Sequence, residues 1–176
     1  ALQSGHRFDA PVICVTAGDA FEDHGQYEYG LRMDSSAQYR QLFQHLAAIG
    51  LRAARVVHFN DSKESTAASK DVTRFHNESR IISLLACLQG LLQASSSDAV
   101  DVWSISFDQD GRPSPSHDVA PAVARCLQQE TSKVRLRSIA FLGDGAMQGS
   151  ERIAERLRHE WQNPGEDLCV RSEEHT

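Results

Sequence analysis

The chain has 176 residues, with 18 Lys and Arg against 24 Asp and Glu, which gives a formal net charge of −6. This length fits one domain or a piece of a larger protein, with a core that needs no disulfide or metal for stability. The acidic balance disfavours nucleic acid and anionic membranes as partners, because both present phosphates that need a basic surface. No apolar stretch approaches the ~20 residues of a membrane span, and the polar N-terminus has no signal-peptide core, so we expect a cytoplasmic location.

The hydrophobic pattern of the first half predicts alternating strands and helices. Ser35 or Ser36 can cap the first helix, and Gly50 ends it. The second helix is long, and its second half is apolar nearly all round, which indicates a helix that passes from an exposed rim into an interface. The predicted elements are a strand at 11–18, an extended segment at 26–33, a helix at 36–49, a strand at 51–59 and a helix at 69–94.

The second half continues the alternation. Asp118 can cap a helix that has Pro121 in its first turn, where a missing N–H costs little. The predicted elements here are strands at 100–107 and 134–142, helices around 118–130 and 150–161, and a short apolar run at 168–170. Helices between strands favour a truncated Rossmann-like α/β fold, with a doubly wound, mainly parallel sheet and flanking helices.

The four cysteines, Cys14, Cys87, Cys126 and Cys169, are far apart in the sequence. Each lies inside an apolar run, so we expect reduced, buried thiols. Their spacing is not that of a zinc site, and no metal is predicted.

A glycine-rich turn, Gly143–Gly149, follows a predicted strand and precedes a helix, which is the context of a phosphate-binding loop. Its spacing is one residue off the dinucleotide fingerprint, and Asp144 would repel a pyrophosphate. A plain strand-to-helix turn is favoured. The alternative is a small free-standing α/β enzyme that uses His58 and this turn on a phosphorylated ligand.

Reductive catalysis on this fold would use Tyr-x-x-x-Lys or Tyr-x-x-x-Asn on one helix face. None of Tyr27, Tyr29 and Tyr39 has Lys or Asn four residues later, and no G-x-S-x-G pentapeptide is present. The sequence therefore predicts no catalytic and no cofactor-binding residue.

Histidines and tryptophans give weaker signals. His58 ends a strand and could form a metal or proton-transfer cluster with His76 and Glu78, but a structural histidine is favoured. We expect His45 and His159 to be solvated. The tryptophans Trp103 and Trp161 are interpreted as core or interface anchors.

Several segments in order resemble the structural subdomain of ketoreductase domains in modular polyketide synthases. The family's structural subdomain begins with a strand, a glycine, a Phe and an extended segment with Tyr. Similar segments here are Val15–Gly18, Phe21 and Tyr27–Met33. The remaining segments that carry the resemblance are Arg55–Phe59, Ser83–Leu92, Val102–Ser106, Pro121–Glu130 with Arg125, Val134–Phe141, Arg152–Trp161 and Glu166–Arg171. None of these segments is specific to the family by itself, but the order and spacing of the whole set are.

The resemblance implies a subdomain over 1–165, with its first strand possibly missing, and an exit strand or linker over 166–176. In the family this half binds no cofactor and braces a catalytic half, which holds NADPH and reduces β-ketoacyl chains on an acyl carrier protein. The partners implied are that catalytic half, other synthase domains and, in the parent enzyme, the carrier protein. The chain departs from the family at its start and at Gly143–Gly149, which indicates an excised fragment or a silent pseudo-ketoreductase.

One four-stranded sheet cannot cover a helix that is apolar all round. We therefore predict that a neighbouring domain buries part of this surface. The interface residues predicted for that contact are Leu84, Leu88, Leu91 and Trp161.

Overall fold

The computed structural model of the chain describes residues 11–60, 70–94, 99–107, 116–141, 150–162 and 169–172. Within these ranges, helices and strands alternate along the chain from residue 36 onward. The elements are β1 (Cys14–Ala17), β2 (Glu22–Gly25), β3 (Glu28–Leu31), α1 (Ser36–Ala48), β4 (Arg55–Asn60), α2 (Lys70–Gln93), β5 (Val100–Phe107), α3 (Ser116–Glu130), β6 (Val134–Phe141), α4 (Ser150–Gln162) and β7 (Cys169–Ser172).

The larger sheet has four parallel strands in the order β4-β5-β6-β7. Its central strands β5 and β6 are rich in Val, Ile and Phe and are buried on both faces, as expected for a parallel sheet covered by helices. Helices α2, α3 and α4 connect successive strands of this sheet. The predicted α/β fold with a parallel sheet and flanking helices is confirmed.

A second, smaller sheet contains the first three strands in the order β1-β3-β2, with β1 parallel and β2 antiparallel to β3. The sequence analysis predicted one sheet, and it predicted no strand over the residues that form β2. All of β2 is exposed, so no hydrophobic alternation marks it. The β2–β3 connection has positive φ at Gly25, Gln26 and Tyr27, a left-handed turn of the kind that joins hairpin strands.

The two sheets share one hydrophobic core. Tyr29 and Leu31 of β3 pack in the same buried cluster as Leu42 of α1, Leu88 of α2 and Val102 of β5. At Gly90 of α2, an added Cβ would lie 2.5 Å from the Cβ of Tyr39 and 2.9 Å from the backbone N of Arg40. Only a glycine permits α1 and α2 to approach this closely.

The opposite face of the larger sheet has a separate buried cluster. Trp103 and Ile105 of β5 and Ile139 of β6 lie in it, and Leu157 of α4 packs against it. Because neighbouring residues of a strand point to opposite faces, Val102 and Trp103 belong to different clusters. Helix α4 therefore covers the face of the sheet that α3 does not.

The helix ends agree only partly with the prediction. The side chain of Ser35 accepts a hydrogen bond from the N–H of Gln38 at 3.4 Å, so Ser35 is the N-cap of α1. Helix α3 begins at Ser116, however, and Asp118 lies inside it. Pro121 then lies beyond the first turn and removes one backbone hydrogen bond of the helix. The burial of Ala120 and Ala124 in the core offsets this loss.

Candidate interface

The three leucines that the sequence assigned to an interface with another domain are buried within this chain. Leu84 and Leu88 are each 3% exposed and Leu91 is 6% exposed, and all three belong to the core cluster. The expectation failed because it counted only the four-stranded sheet, whereas α1 and the small sheet also cover α2. Of the four predicted interface residues, Trp161 retains substantial exposed surface, at 38%.

A different set of apolar side chains on α2 faces outward. Ile82 is 48% exposed, and Leu85 and Leu92 are each 37% exposed. Their spacing of three and seven residues places them on one side of the helix, next to the side that carries the buried leucines. The sequence indicated an apolar surface on this helix correctly, but it did not show which residues form it.

This surface continues into a groove between α2 and α3, which we call the α2–α3 groove. Leu85 forms one wall, and α3 supplies the apolar residues of the other. Those residues are Val119, Ala122, Val123, Cys126 and Leu127. They repeat every three or four residues along α3, so they form one stripe on the helix.

Among the described residues that line the groove, one is charged: Glu130, at the C-terminal end of α3. Its side chain is exposed, and no basic residue occupies the last turn of either α2 or α3. In the part of the α2–α3 groove that the structure describes, the lining is apolar up to a negative end at Glu130, where the helix dipoles add to the carboxylate. Glu130 belongs to the Pro121–Glu130 segment that carries the family resemblance, but its proximity to Leu85 depends on tertiary structure.

A chain of polar contacts connects β4, α2 and α1. His58 Nε2 is 2.9 Å from Ser83 Oγ, and Ser83 Oγ is 3.5 Å from the hydroxyl of Tyr39, which also contacts Met33 Sδ at 3.1 Å. Burial, and to a smaller extent the nearby Cys87, raise the pKa of Tyr39 to about 12, and the Ser83 hydrogen bond partly opposes this shift. The contact with Ser83 agrees with the interpretation of His58 as a structural histidine.

Trp161 belongs to a cluster on the other face of the sheet. The guanidinium carbon of Arg55 lies 3.8 Å from the centroid of the Trp161 ring and 4.6 Å from that of Trp103. Asp101 bridges Arg55 and Arg135, at 3.5 Å and 2.8 Å. These contacts attach the end of α4 to the first residues of β4 and β5, so Trp161 anchors α4 within the chain.

Other sequence-based candidates have varied outcomes. Cys87 is buried as expected, whereas Cys14 and Cys126 are exposed, because each apolar run has an outward-facing side that the sequence did not identify. His159 is exposed as expected. His45 is not simply solvated: its ring packs edge-on against Phe21 and Tyr29, and its Nε2 is 3.4 Å from Asp23 Oδ2.

The remaining candidates lie outside the described part of the chain. These are the Gly143–Gly149 turn, the side chains of His76 and Glu78, and the side chain of Cys169. Within the described ranges, no three His, Cys, Asp or Glu side chains are grouped so as to hold a metal ion. No helix in those ranges has the length and apolar character to cross a bilayer.

The fold and the groove together define a Rossmann-like α/β domain with an exposed apolar helical surface. The chain matches the family described as beta-ketoacyl synthase-like, N-terminal, over residues 1–160, and it belongs to that family. No curated protein matches it.

Two solved structures share the fold. A crystal structure of an N-terminal ketoreductase from the macrolactin assembly line has a TM-score of 0.73 and 18% sequence identity, and the match covers 93% of this chain. A multidomain structure with adenylation, ketoreductase and pseudo Asub parts, from a keto acid-selecting NRPS module, has a TM-score of 0.76 and 16% identity over 97% of this chain.

At these identities the two matches show a shared fold, and it is the fold that the resemblance to ketoreductase structural subdomains predicted. This chain spans about a third of the first structure, 33%, and 14% of the second. Both matched structures are therefore considerably longer than this chain, and both come from multienzyme assembly lines.

Proposed function

We propose that this chain is the non-catalytic structural subdomain of a ketoreductase region in a polyketide-type assembly line. In this role it braces a catalytic half, which holds NADPH and reduces β-ketoacyl chains carried on an acyl carrier protein, unless the region is a silent pseudo-ketoreductase. The family match and the shared fold support the proposal. We further propose a cytoplasmic location, a subdomain over 1–165 and an exit strand or linker over 166–176.

The observation that carries the proposal is the exposed apolar surface of α2 and α3. Ile82, Leu85 and Leu92 would each be costly to leave in water, since full burial of such a side chain is worth about 1.5–3 kcal/mol. Contiguous apolar surface of this kind marks contact with another protein surface. The α2–α3 groove is therefore the proposed contact with the catalytic half.

The first test asks whether the isolated chain binds the cofactor. We expect the Tm of the chain to be unchanged by NADPH at any concentration tested. A ligand at 100 times its Kd stabilises a protein by about 2.7 kcal/mol, which would raise the Tm by roughly 5–11 °C at this size. A rise of that size would contradict the proposal and favour the small-enzyme alternative.

The second test measures association with the catalytic half of the same synthase, produced separately, by size-exclusion chromatography with light scattering. We expect a one-to-one complex that Leu85→Asp weakens at least tenfold, because the substitution places a charge in the apolar groove. Ile49→Asp is the matched control, since Ile49 is 50% exposed at the end of α1 and does not line the groove. Failure of the wild-type chain to associate would remove the proposed function.

A further inference from the structure

The shape of the α2–α3 groove determines what kind of segment can occupy it. The described residues that line the groove all belong to the two helices, and none of them is part of a strand edge with open backbone N–H and C=O groups. A segment lying there must pair its own backbone groups, and a helix does so. The α3 wall extends from Val119 to Glu130, about 16 Å at the rise of an α-helix, which matches roughly three turns of a partner helix.

The charge of the groove determines its polarity. Helices α2 and α3 lead into the adjacent parallel strands β5 and β6, so their C-terminal ends lie at the same end of the groove. Neither helix has a basic residue in its last turn, and Glu130 adds a full negative charge there. Lys133 follows three residues later in the turn, but it does not line the groove.

We propose that the α2–α3 groove binds an amphipathic helix of the partner domain, with an apolar stripe of about three turns and a Lys or Arg that faces Glu130. The inference rests on the proposed function and specifies the partner element at the same site. A second copy of this chain fits less well, because each copy carries a net charge of −6 and the same negative groove end.

The experiment uses two synthetic helical peptides, each with a lactam bridge on its polar side to hold the helix. Both carry a three-turn leucine stripe; one has Lys at the end that faces Glu130, and the other has Glu there. Binding to the whole chain is measured by fluorescence anisotropy. We expect the Lys peptide to bind about fivefold to tenfold more tightly than the Glu peptide, since attraction replaces repulsion at that end.

Three variants sharpen the experiment. Glu130→Lys should reverse the order of the two peptides, and Leu85→Asp should weaken both. Glu155→Lys makes the same charge change at an exposed position of α4, on the other face of the sheet, and should alter neither affinity. Equal affinities of both peptides for the wild-type chain, or binding of neither, would overturn the inference.

The outcomes separate this inference from the proposed function. A complex with the catalytic half that Leu85→Asp breaks, and that Glu130→Lys leaves unchanged, would refute the charged-helix partner and retain the structural role. Charge-dependent peptide binding without any complex with the catalytic half would retain the charged-helix preference of the groove and refute the proposed structural role. Self-association in sedimentation velocity that Glu130→Lys abolishes would identify a second copy as the occupant and overturn the inference.

Discussion

At the scale of single residues, Tyr39 and Cys87 show how the core favours uncharged groups. Burial raises the pKa of Tyr39 to about 12 from 10.0, and it raises the pKa of Cys87 to about 12 from 9.0. Between the ordinary pKa and the raised pKa of each residue, the side chain is deprotonated in the unfolded chain and still protonated in the folded chain. Their contribution to stability is therefore complete below about pH 9 and is lost as the pH rises toward 12.

We expect the free energy of unfolding, measured by urea titration at pH 8, 9, 10 and 11, to fall as the pH rises. Tyr39→Phe should make this fall less steep above pH 10, by up to about 1.4 kcal/mol per pH unit, because one of the two groups no longer titrates. Tyr27→Phe is the control, since Tyr27 is 45% exposed. Identical pH dependence in wild type and Tyr39→Phe would show that burial does not hold the Tyr39 proton.

At the scale of elements, the contact between α1 and α2 depends on Gly90. An alanine in the middle of a helix is normally more stable than a glycine by about 1 kcal/mol. Here the added Cβ would meet the backbone of α1, where Arg40 N is 2.9 Å away. We expect Gly90→Ala to lower the free energy of unfolding by about 1–3 kcal/mol in urea titration.

The neighbouring Gln89→Ala serves as the comparison, because Gln89 is exposed on the same helix and its substitution should change the stability little. A stabilised Gly90→Ala variant would mean that α1 and α2 are not in close contact.

The elements also show how far the sequence could predict this structure. Strands β4, β5 and β6 and all four helices follow from hydrophobic periodicity, and their predicted positions agree within a few residues. Strand β2 lacks apolar alternation and depends on backbone pairing with β3, so no local signal marks it. Which side of α2 is buried could not be predicted either, because it depends on α1, a helix more than twenty residues away in the sequence.

For α2, the sequence indicated an exposed apolar surface, but the leucines it named for that surface are buried in the core. The packing of α1 decides which apolar side chains of α2 are buried. The buried ones are Leu84, Leu88 and Leu91, and the exposed ones are Ile82, Leu85 and Leu92. A helix that is apolar all round has no periodicity that could distinguish the two sets. Groove residues such as Cys126 and Glu130 come from another helix, and their proximity to Leu85 requires the folded sheet.

At the scale of the whole molecule, one core connects two sheets with different strand directions. Leu31 of the small sheet is 0% exposed and lies in the same cluster as Val102 and Leu136 of the large sheet. The small sheet has only three short strands, so its stability should come mainly from this shared core. Both sheets should then unfold together.

We expect Leu31→Ala to cost about 2–5 kcal/mol, the usual range for a leucine truncated in a core. Because unfolding is shared, hydrogen exchange of the β5 and β6 amides should accelerate to the same extent as that of the β3 amides. Val12→Ala, at a residue that is 59% exposed, provides a control for the small-sheet end of the chain. Unchanged β5 exchange in Leu31→Ala would show that the small sheet unfolds independently.

The position of Arg55 over the rings of both Trp103 and Trp161 has an optical consequence. The chain has only two tryptophans, and their rings lie 5.5 Å apart, one from β5 and one from α4. All of its indole emission therefore originates at one junction, where a guanidinium is stacked on both fluorophores. Detachment of α4 would separate that pair and expose Trp161 to solvent, so the wavelength of the emission maximum follows the attachment of a single helix without any added label.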